Sequence, residues 1–144
     1  MEPGYRIFDH TADVGLDGWG STAAEAFAAA ARGMFAIILG ADPTTIGGVG
    51  PARPLTIEAA GEGWGELLVN WLVEFLFQFE VDDIVPLRIA MHACQPPRCA
   101  AGVEGAAIEN ADAPAGVGVK AVTYHDLKVE VAPERTDIHV IFDI

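Results

Sequence analysis

The segment that decides the fold covers residues 64–79 and reads WGELLVNWLVEFLFQF. Its large apolar side chains fill more than one helical face, and a narrow polar stripe repeats every four residues at Glu66, Asn70, Glu74 and Gln78. The pattern predicts a long helix that packs on two sides or faces a partner. Because the apolar run is interrupted and shorter than the roughly 20 residues that a bilayer span needs, we predict no transmembrane segment.

A shorter helix is predicted upstream of this segment. Thr22 and Glu25 have the spacing of a capping box, in which the two residues satisfy free backbone N–H groups at a helix start. Apolar residues then repeat at helical spacing from Phe27 to Ile38, and Gly40 ends the run. We therefore expect a helix between Thr22 and Gly40.

The remaining segments are predicted strands: most alternate apolar and polar residues, as strands buried on one face do, whereas 16–20 is weakened by glycines and 100–109 is a weak strand rich in alanine and glycine. These segments are residues 5–8, 16–20, 55–59, 87–94, 100–109, 119–124, 127–131 and 138–144. Glycine and proline mark 41–54 as a loop and 96–97 as a turn, and 110–118 is the least structured stretch. The order of elements predicts an α+β fold in one domain, residues 1–144, with mostly antiparallel sheet layers covered by two α-helices.

Charge limits what the chain binds. The sequence has 21 acidic and 8 basic residues, a net charge of −13 and no basic run. Direct, stable binding of nucleic acid is therefore not expected, whereas a protein partner or a cation fits this charge, and solubility alone also accounts for it. The N-terminus lacks the features of a signal peptide, so we expect a cytoplasmic protein whose Cys94 and Cys99 are reduced and structural.

Residues 10–15, HTADVG, follow the first predicted strand and place an imidazole, a hydroxyl and a carboxylate close together. One interpretation is a ligand-binding turn, in which Gly15 provides backbone freedom. The other is a structural turn, in which Asp13 and Thr11 bond their own backbone and His10 ends a strand. The hexapeptide alone leaves both open.

The last segment, residues 138–144, reads IHVIFDI and is predicted to be a strand that continues to the final residue. Ile138, Val140 and Phe142 alternate, so one face of this strand should be buried. Burial of that face would hold Asp143 and the terminal carboxylate of Ile144 at a fixed location.

Together these segments resemble the archeases, small acidic proteins that assist the RtcB-type RNA ligase in tRNA splicing. The resemblance runs from end to end of the chain. It is carried by DHTADVG at residues 9–15, GST at 20–22, EAF at 25–27, LLVNWLVEFL at 67–76, KAVTYH at 120–125 and IFDI at 141–144.

The resemblance implies a non-catalytic activator. Such a protein promotes guanylylation of the ligase's active-site histidine, allows multiple turnovers and widens nucleotide use beyond GTP. It also implies a divalent cation, calcium in the best-known form with Mg²⁺ or Mn²⁺ as alternatives, held by Asp13, Asp143 and Ile144. The lysine that matches Lys120 is linked in the family to activation of the ligase.

The chemistry of these positions agrees with the implied roles. Hard cations prefer oxygen ligands, which Asp13, Asp143 and Ile144 offer, with water completing the coordination. His10, with Thr11 beside it, is expected to support a liganding carboxylate by hydrogen bonding, because imidazole suits softer metals.

Two alternative functions remain open on the sequence. One is a metal-dependent hydrolase of small phosphoesters that uses His10 and Asp13. The other is a chaperone-like interaction module that binds hydrophobic segments through the aromatic residues of the long helix. The sequence does not define the oligomeric state, the cation or the RNA that the ligase joins.

Overall fold

A computed structural model of the 144-residue chain describes residues 1–9, 12–109 and 116–144. The elements in chain order are β1 (Gly4–Asp9), β2 (Asp13–Gly20), α1 (Ala23–Leu39), β3 (Arg53–Ala60), α2 (Trp64–Asp82), β4 (Ile84–Gln95), β5 (Arg98–Ala107), β6 (Ala121–Val122), β7 (Lys128–Val131) and β8 (Thr136–Asp143). A short 3-10 turn at Pro43–Thr45 lies in the loop between α1 and β3.

The strands form two antiparallel sheets. The larger sheet has the order β1-β2-β8-β6, and β7 pairs with the same edge of β8 as β6 does. The smaller sheet has the order β3-β5-β4. The α+β class with mostly antiparallel sheets and two α-helices, predicted from the sequence, is confirmed.

Both helices lie between the sheets. α1 contacts β1, β2 and β8 of the larger sheet and β4 of the smaller one, while α2 contacts β3, β4 and β5 as well as β6 and β7. At the centre, Trp71 is fully buried, donates its indole N–H to the Phe27 carbonyl at 2.9 Å, and packs edge-on against Phe75. This position explains why the long helix is apolar on more than one side.

The predicted bounds of α1 are confirmed. The Thr22 hydroxyl accepts the Glu25 N–H at 3.1 Å, and Gly40 adopts a left-handed conformation, φ 76°, that ends the helix. The Glu25 carboxylate accepts the N–H of Ser21 at 2.8 Å, one residue before the position that the capping box predicts.

The polar stripe that the sequence shows on α2 is only in part its exposed face. The amide of Asn70 donates to the Ala60 carbonyl at 2.7 Å, and Glu74 and Gln78 are half-buried. Val73 and Phe77 instead face solvent. No helix in the described ranges is long and apolar enough to cross a membrane.

The strand bounds differ from the prediction, most clearly at two places. β2 begins at Asp13, so 13–15 belong to a strand and the predicted turn over 10–15 is wrong for these residues, because all three pair with β8 and Val14 and Gly15 also pair with β1. The predicted strand 119–124 forms only Ala121–Val122, because β6 and β7 share one edge of β8. Of the stretch predicted as least structured, 110–115 lie outside the described residues.

Asp42 links the start of β1, α1 and the 3-10 turn through hydrogen bonds. Its carboxylate accepts the Tyr5 hydroxyl at 2.8 Å, the Arg32 guanidinium at 3.0 Å, and the backbone N–H and hydroxyl of Thr44 at 3.0 and 2.7 Å. Burial acts to raise the pKa of Asp42, but these hydrogen bonds outweigh it and lower the pKa from 3.8 to about 2. For Tyr5, burial and the neighbouring carboxylate raise the pKa to about 12.

We expect Asp42→Asn to lower the free energy of unfolding by about 1–2 kcal/mol at pH 7, since it removes a charged acceptor of several hydrogen bonds. A carboxyl whose pKa is lowered by folding stabilises the protein above its unfolded pKa of 3.8 and loses that effect as the pH falls toward 2. The difference from wild type should therefore shrink over this window in urea denaturation. A constant difference down to pH 3, or an equal effect of Glu134→Gln on the exposed surface, would contradict this account.

Candidate functional site

The ladder between β2 and β8 sets Asp13 directly opposite Asp143. Residues opposite one another in an antiparallel pair project to the same face, so the two carboxylates are neighbours. The Lys120 N–H donates to the Asp143 carbonyl at 2.8 Å, and Ala121 pairs with Asp143 on the other side of the strand. Three strand segments that are distant in sequence therefore meet at one point.

The burial pattern explains why the carboxylates face outward. Val14 and Leu16 of β2 are 2% and 0% exposed, and Val140 and Phe142 of β8 are both 0% exposed, so these alternate positions face the helices. The intervening positions, including Asp13 and Asp143, project from the outer face of the sheet. Ile144 follows β8 and is half-buried against the core.

A bound cation would relieve the electrostatic repulsion within this pair of carboxylates. Like charges directly opposite one another destabilise a sheet, and neither carboxylate forms a salt bridge with any described residue. Asp13 Oδ1 is buried and has no hydrogen-bond partner among the described residues. A buried carboxylate oxygen without a partner is costly, and a bound cation would remove both penalties.

The donor chemistry fits a hard divalent cation. In the described part of the chain, no group of three or more His, Cys, Asp or Glu side chains is placed to hold a metal ion. The protein would thus contribute the two carboxylates and a main-chain oxygen of Ile144, all oxygen donors of the kind that calcium and magnesium prefer. Water or a partner would have to complete the coordination, and the ligand set of Asp13, Asp143 and Ile144 stays a prediction.

A cleft of about 410 Å³ adjoins Asp13 on the outer face. It is lined by Phe8, Asp13, His125, Asp126, His139 and Ile141. His139 Nδ1 lies 2.6 Å from Asp17 Oδ1, so this imidazole is oriented by a carboxylate. His139 and Asp17 were not among the site residues predicted from the sequence, although the alternation that places Asp143 on this face also places them there.

A second cleft, of about 300 Å³, continues along the same face and shares His139 with the first. Its charged groups are mainly paired: Arg6 lies 3.5 Å from Asp17, and Arg135 contacts Asp137 at 2.9 Å. The outer face is therefore an open, polar surface of mixed charge. Such a surface suits contact with another macromolecule better than enclosure of a small substrate.

The other predicted residues differ in what the structure tells of them. Lys120 is exposed, and its backbone, as described above, is hydrogen-bonded to Asp143. His10 and Thr11 lie outside the described residues. Their supporting roles, and the hydrolase role of His10, remain predictions.

Without divalent cations, Asp143→Asn should raise the free energy of unfolding by about 0.5–1 kcal/mol. The substitution removes one of two facing charges and offers an N–H donor to the carboxylate of Asp13. Urea denaturation in the presence of a chelator measures the effect. Glu134→Gln, which changes the net charge equally at an exposed site, is the control, and an equal gain in both variants would show that the facing pair is not specially unfavourable.

Comparisons with known proteins agree on one family. The sequence profile of the Archease protein family matches residues 5–144. A curated relative, the protein archease of the catfish Ictalurus punctatus, is 34% identical over 143 residues, which cover 97% of this chain and 85% of the relative.

Solved structures share the fold. The solution structure of Methanobacterium thermoautotrophicum protein 1598 aligns with a TM-score of 0.72 and 25% identity, covering 98% of this chain and 99% of that one. The crystal structure of an archease from Thermotoga maritima, described as a possible chaperone, aligns with a TM-score of 0.62 and 19% identity, covering 96% of each chain. At that identity the second likeness concerns the fold alone.

Proposed function

This chain belongs to the archease family, and from that premise we propose that it is a non-catalytic protein activator of an RtcB-type RNA ligase in tRNA splicing. Its proposed role is to promote guanylylation of the ligase, to allow multiple turnovers and to broaden nucleotide use. The observation that carries the proposal is the pair of facing carboxylates, Asp13 and Asp143, together with the buried Oδ1 of Asp13, which has no hydrogen-bond partner among the described residues.

We further propose that Asp13, Asp143 and a main-chain oxygen of Ile144 bind a divalent cation, calcium with Mg²⁺ or Mn²⁺ as alternatives. When bound, the cation would neutralise the repulsion between the two carboxylates. The backbone pairing of Asp13 with Asp143 holds the end of β8 against β2, so both carboxylates stay on the outer face of the sheet. Water or a partner oxygen would occupy the remaining coordination positions.

Lys120 is proposed to act on the partner rather than on the cation. Its side chain is exposed, and its backbone is held by the hydrogen bond to Asp143. The ammonium group therefore extends into solvent from a backbone position that is fixed beside Asp143. A compact ammonium of this kind suits contact with a triphosphate or with a carboxylate of the ligase. The net charge of −13 argues that RNA is engaged by the ligase and not directly by this protein.

Millimolar calcium should raise the melting temperature of the wild-type protein by several degrees, because a ligand that binds only the folded state stabilises it by mass action, by about 2.7 kcal/mol at 100 times its Kd. Chelation should reverse the rise. The double variant Asp13→Asn with Asp143→Asn should show little or no rise, whereas Glu134→Gln should respond like wild type. A melting temperature indifferent to calcium, magnesium and manganese would remove the cation from the proposal.

Ligation by the cognate RtcB-type ligase tests the central proposal. With the ligase limiting and GTP and a divalent metal present, adding this protein should convert a single turnover into many. Asp13→Asn and Asp143→Asn should reduce the gain. If product per ligase does not change over a range of added protein, and the pure protein instead turns over generic phosphoesters in a way that Asp13→Ala abolishes, the hydrolase alternative replaces the activator.

Lys120→Ala separates activation from folding and cation binding. The variant should melt like wild type and respond equally to calcium, because the Lys120 backbone N–H that contacts Asp143 is retained. Ligase turnover should nevertheless fall by about tenfold or more, as expected for a lost contact between charged groups. Arg53→Ala, at an exposed arginine of β3 on the smaller sheet, is the control. Full activation by Lys120→Ala would exclude the proposed role.

A further inference from the structure

The solvent-facing side of α2 has an unusual composition. Three of its exposed residues are apolar, Val73, Phe77 and Val81, with 41%, 56% and 59% of their surface accessible. The other exposed residues of the helix are Glu66, Glu80 and Asp82. The exposed side of α2 therefore carries only apolar and acidic groups.

The three apolar residues form a row along the helix, which we call the α2 stripe. They are spaced four residues apart, so they follow one another on one side of the helix over about 12 Å. Phe77 is 56% exposed, whereas the aromatic residues Trp71 and Phe75 of the same helix are 0% and 3% exposed. The Phe77 ring is therefore not part of the core. A contiguous exposed apolar row of this kind marks an interaction site more often than a single exposed residue does.

A cleft extends the stripe at its N-terminal end. Val73 lines this cleft, about 620 Å³ in volume, together with Asn70, Glu74 and Pro97. The cleft gives a partner side chain room to enter beside the helix.

The charged side chains of α2 itself have one sign, and although Arg98 also lines the cleft beside Val73, its guanidinium is paired with Glu58. Residues 64–83 contain no Lys, Arg or His. Glu80, Asp82 and Asp83 cluster at the C-terminal end of α2, where the helix dipole is negative and favours cations. None of the three forms a salt bridge with a described residue, whereas Glu58 and Glu104 of the smaller sheet pair with Arg98 and Arg88.

The stripe is separate from the candidate cation site. α2 packs on the side of the larger sheet that faces the core, whereas Asp13 and Asp143 project from its outer face. A partner on the stripe would leave the cation site accessible.

We propose that the α2 stripe docks a basic amphipathic segment of a partner protein. Its apolar side chains would cover Val73, Phe77 and Val81, and flanking lysines or arginines would meet Glu80 and Asp82. Charge decides among the possible occupants, because nucleic acid, an anionic membrane and a second copy of this acidic surface would all be repelled.

A synthetic fluorescent helical peptide tests the surface, with leucines four residues apart on one face and lysines beside them. Fluorescence anisotropy should show saturable binding that Phe77→Ser weakens about tenfold, the loss expected for one large apolar contact. Tyr124→Ser, at an aromatic residue that is 60% exposed elsewhere, should bind like wild type. The paired change Glu80→Gln with Asp82→Asn should reduce the salt dependence of binding, and Glu134→Gln with Glu2→Gln should do so less.

Four outcomes would overturn the proposal. Equal binding of a peptide with the same composition in scrambled order would reduce the effect to general attraction of charge. Equal binding by Phe77→Ser, with the variant shown to be folded by circular dichroism, would place the peptide on another surface. Chemical-shift changes in ¹⁵N spectra that are confined to 116–144, with none in 66–83, would do the same. A dimer of the protein alone that Phe77→Ser dissociates would assign the stripe to self-association.

Discussion

The antiparallel ladder between β2 and β8 fixes both the core and the candidate site. It joins the beginning and the end of the chain from Asp13 opposite Asp143 to Gly20 opposite Thr136. A shift of one residue in this register would turn Val14 and Phe142 outward and the carboxylates inward, toward an apolar core. Burial of the apolar positions therefore fixes the carboxylates as neighbours, at a cost that a bound cation would offset.

The position of the helices between two sheets has a further consequence. Because both helices pack between the two sheets, each sheet keeps an outer face in contact with solvent. The outer face of the larger sheet carries the facing carboxylates, His139 and paired charges, which together form an open polar surface. Across the described residues the fold presents open clefts and surfaces, which suit contact with another macromolecule.

The acidic residues differ in whether a neighbouring basic group compensates their charge. On the larger sheet several carboxylates are compensated, as in the contact between Arg135 and Asp137 or that between Arg6 and Asp17. At Asp13 and Asp143, and again at the C-terminal end of α2, no described residue compensates them. These uncompensated places are where binding of a cation or of a basic partner yields the most favourable electrostatic energy.

Features that depend on local patterns could be predicted from the sequence. The cap at Thr22 and the glycine at position 40 set the bounds of α1, and alternation identified the buried side of β8. The resemblance of short motifs to the archeases was confirmed by the family comparison. These features depend on residues close together in the chain, so a linear pattern contains them.

Contacts between residues far apart in the chain became evident from the folded structure and not from the sequence. The start of β2 at Asp13, the contact of Lys120 with Asp143, and the place of His139 beside Asp17 all follow from strand pairing between the two ends of the chain. The exposure of Phe77 is of the same kind, because a helix that is apolar on several sides does not reveal which side its neighbours leave uncovered. Pairing and coverage are settled by burying the whole core at once, and that information is not local to any segment.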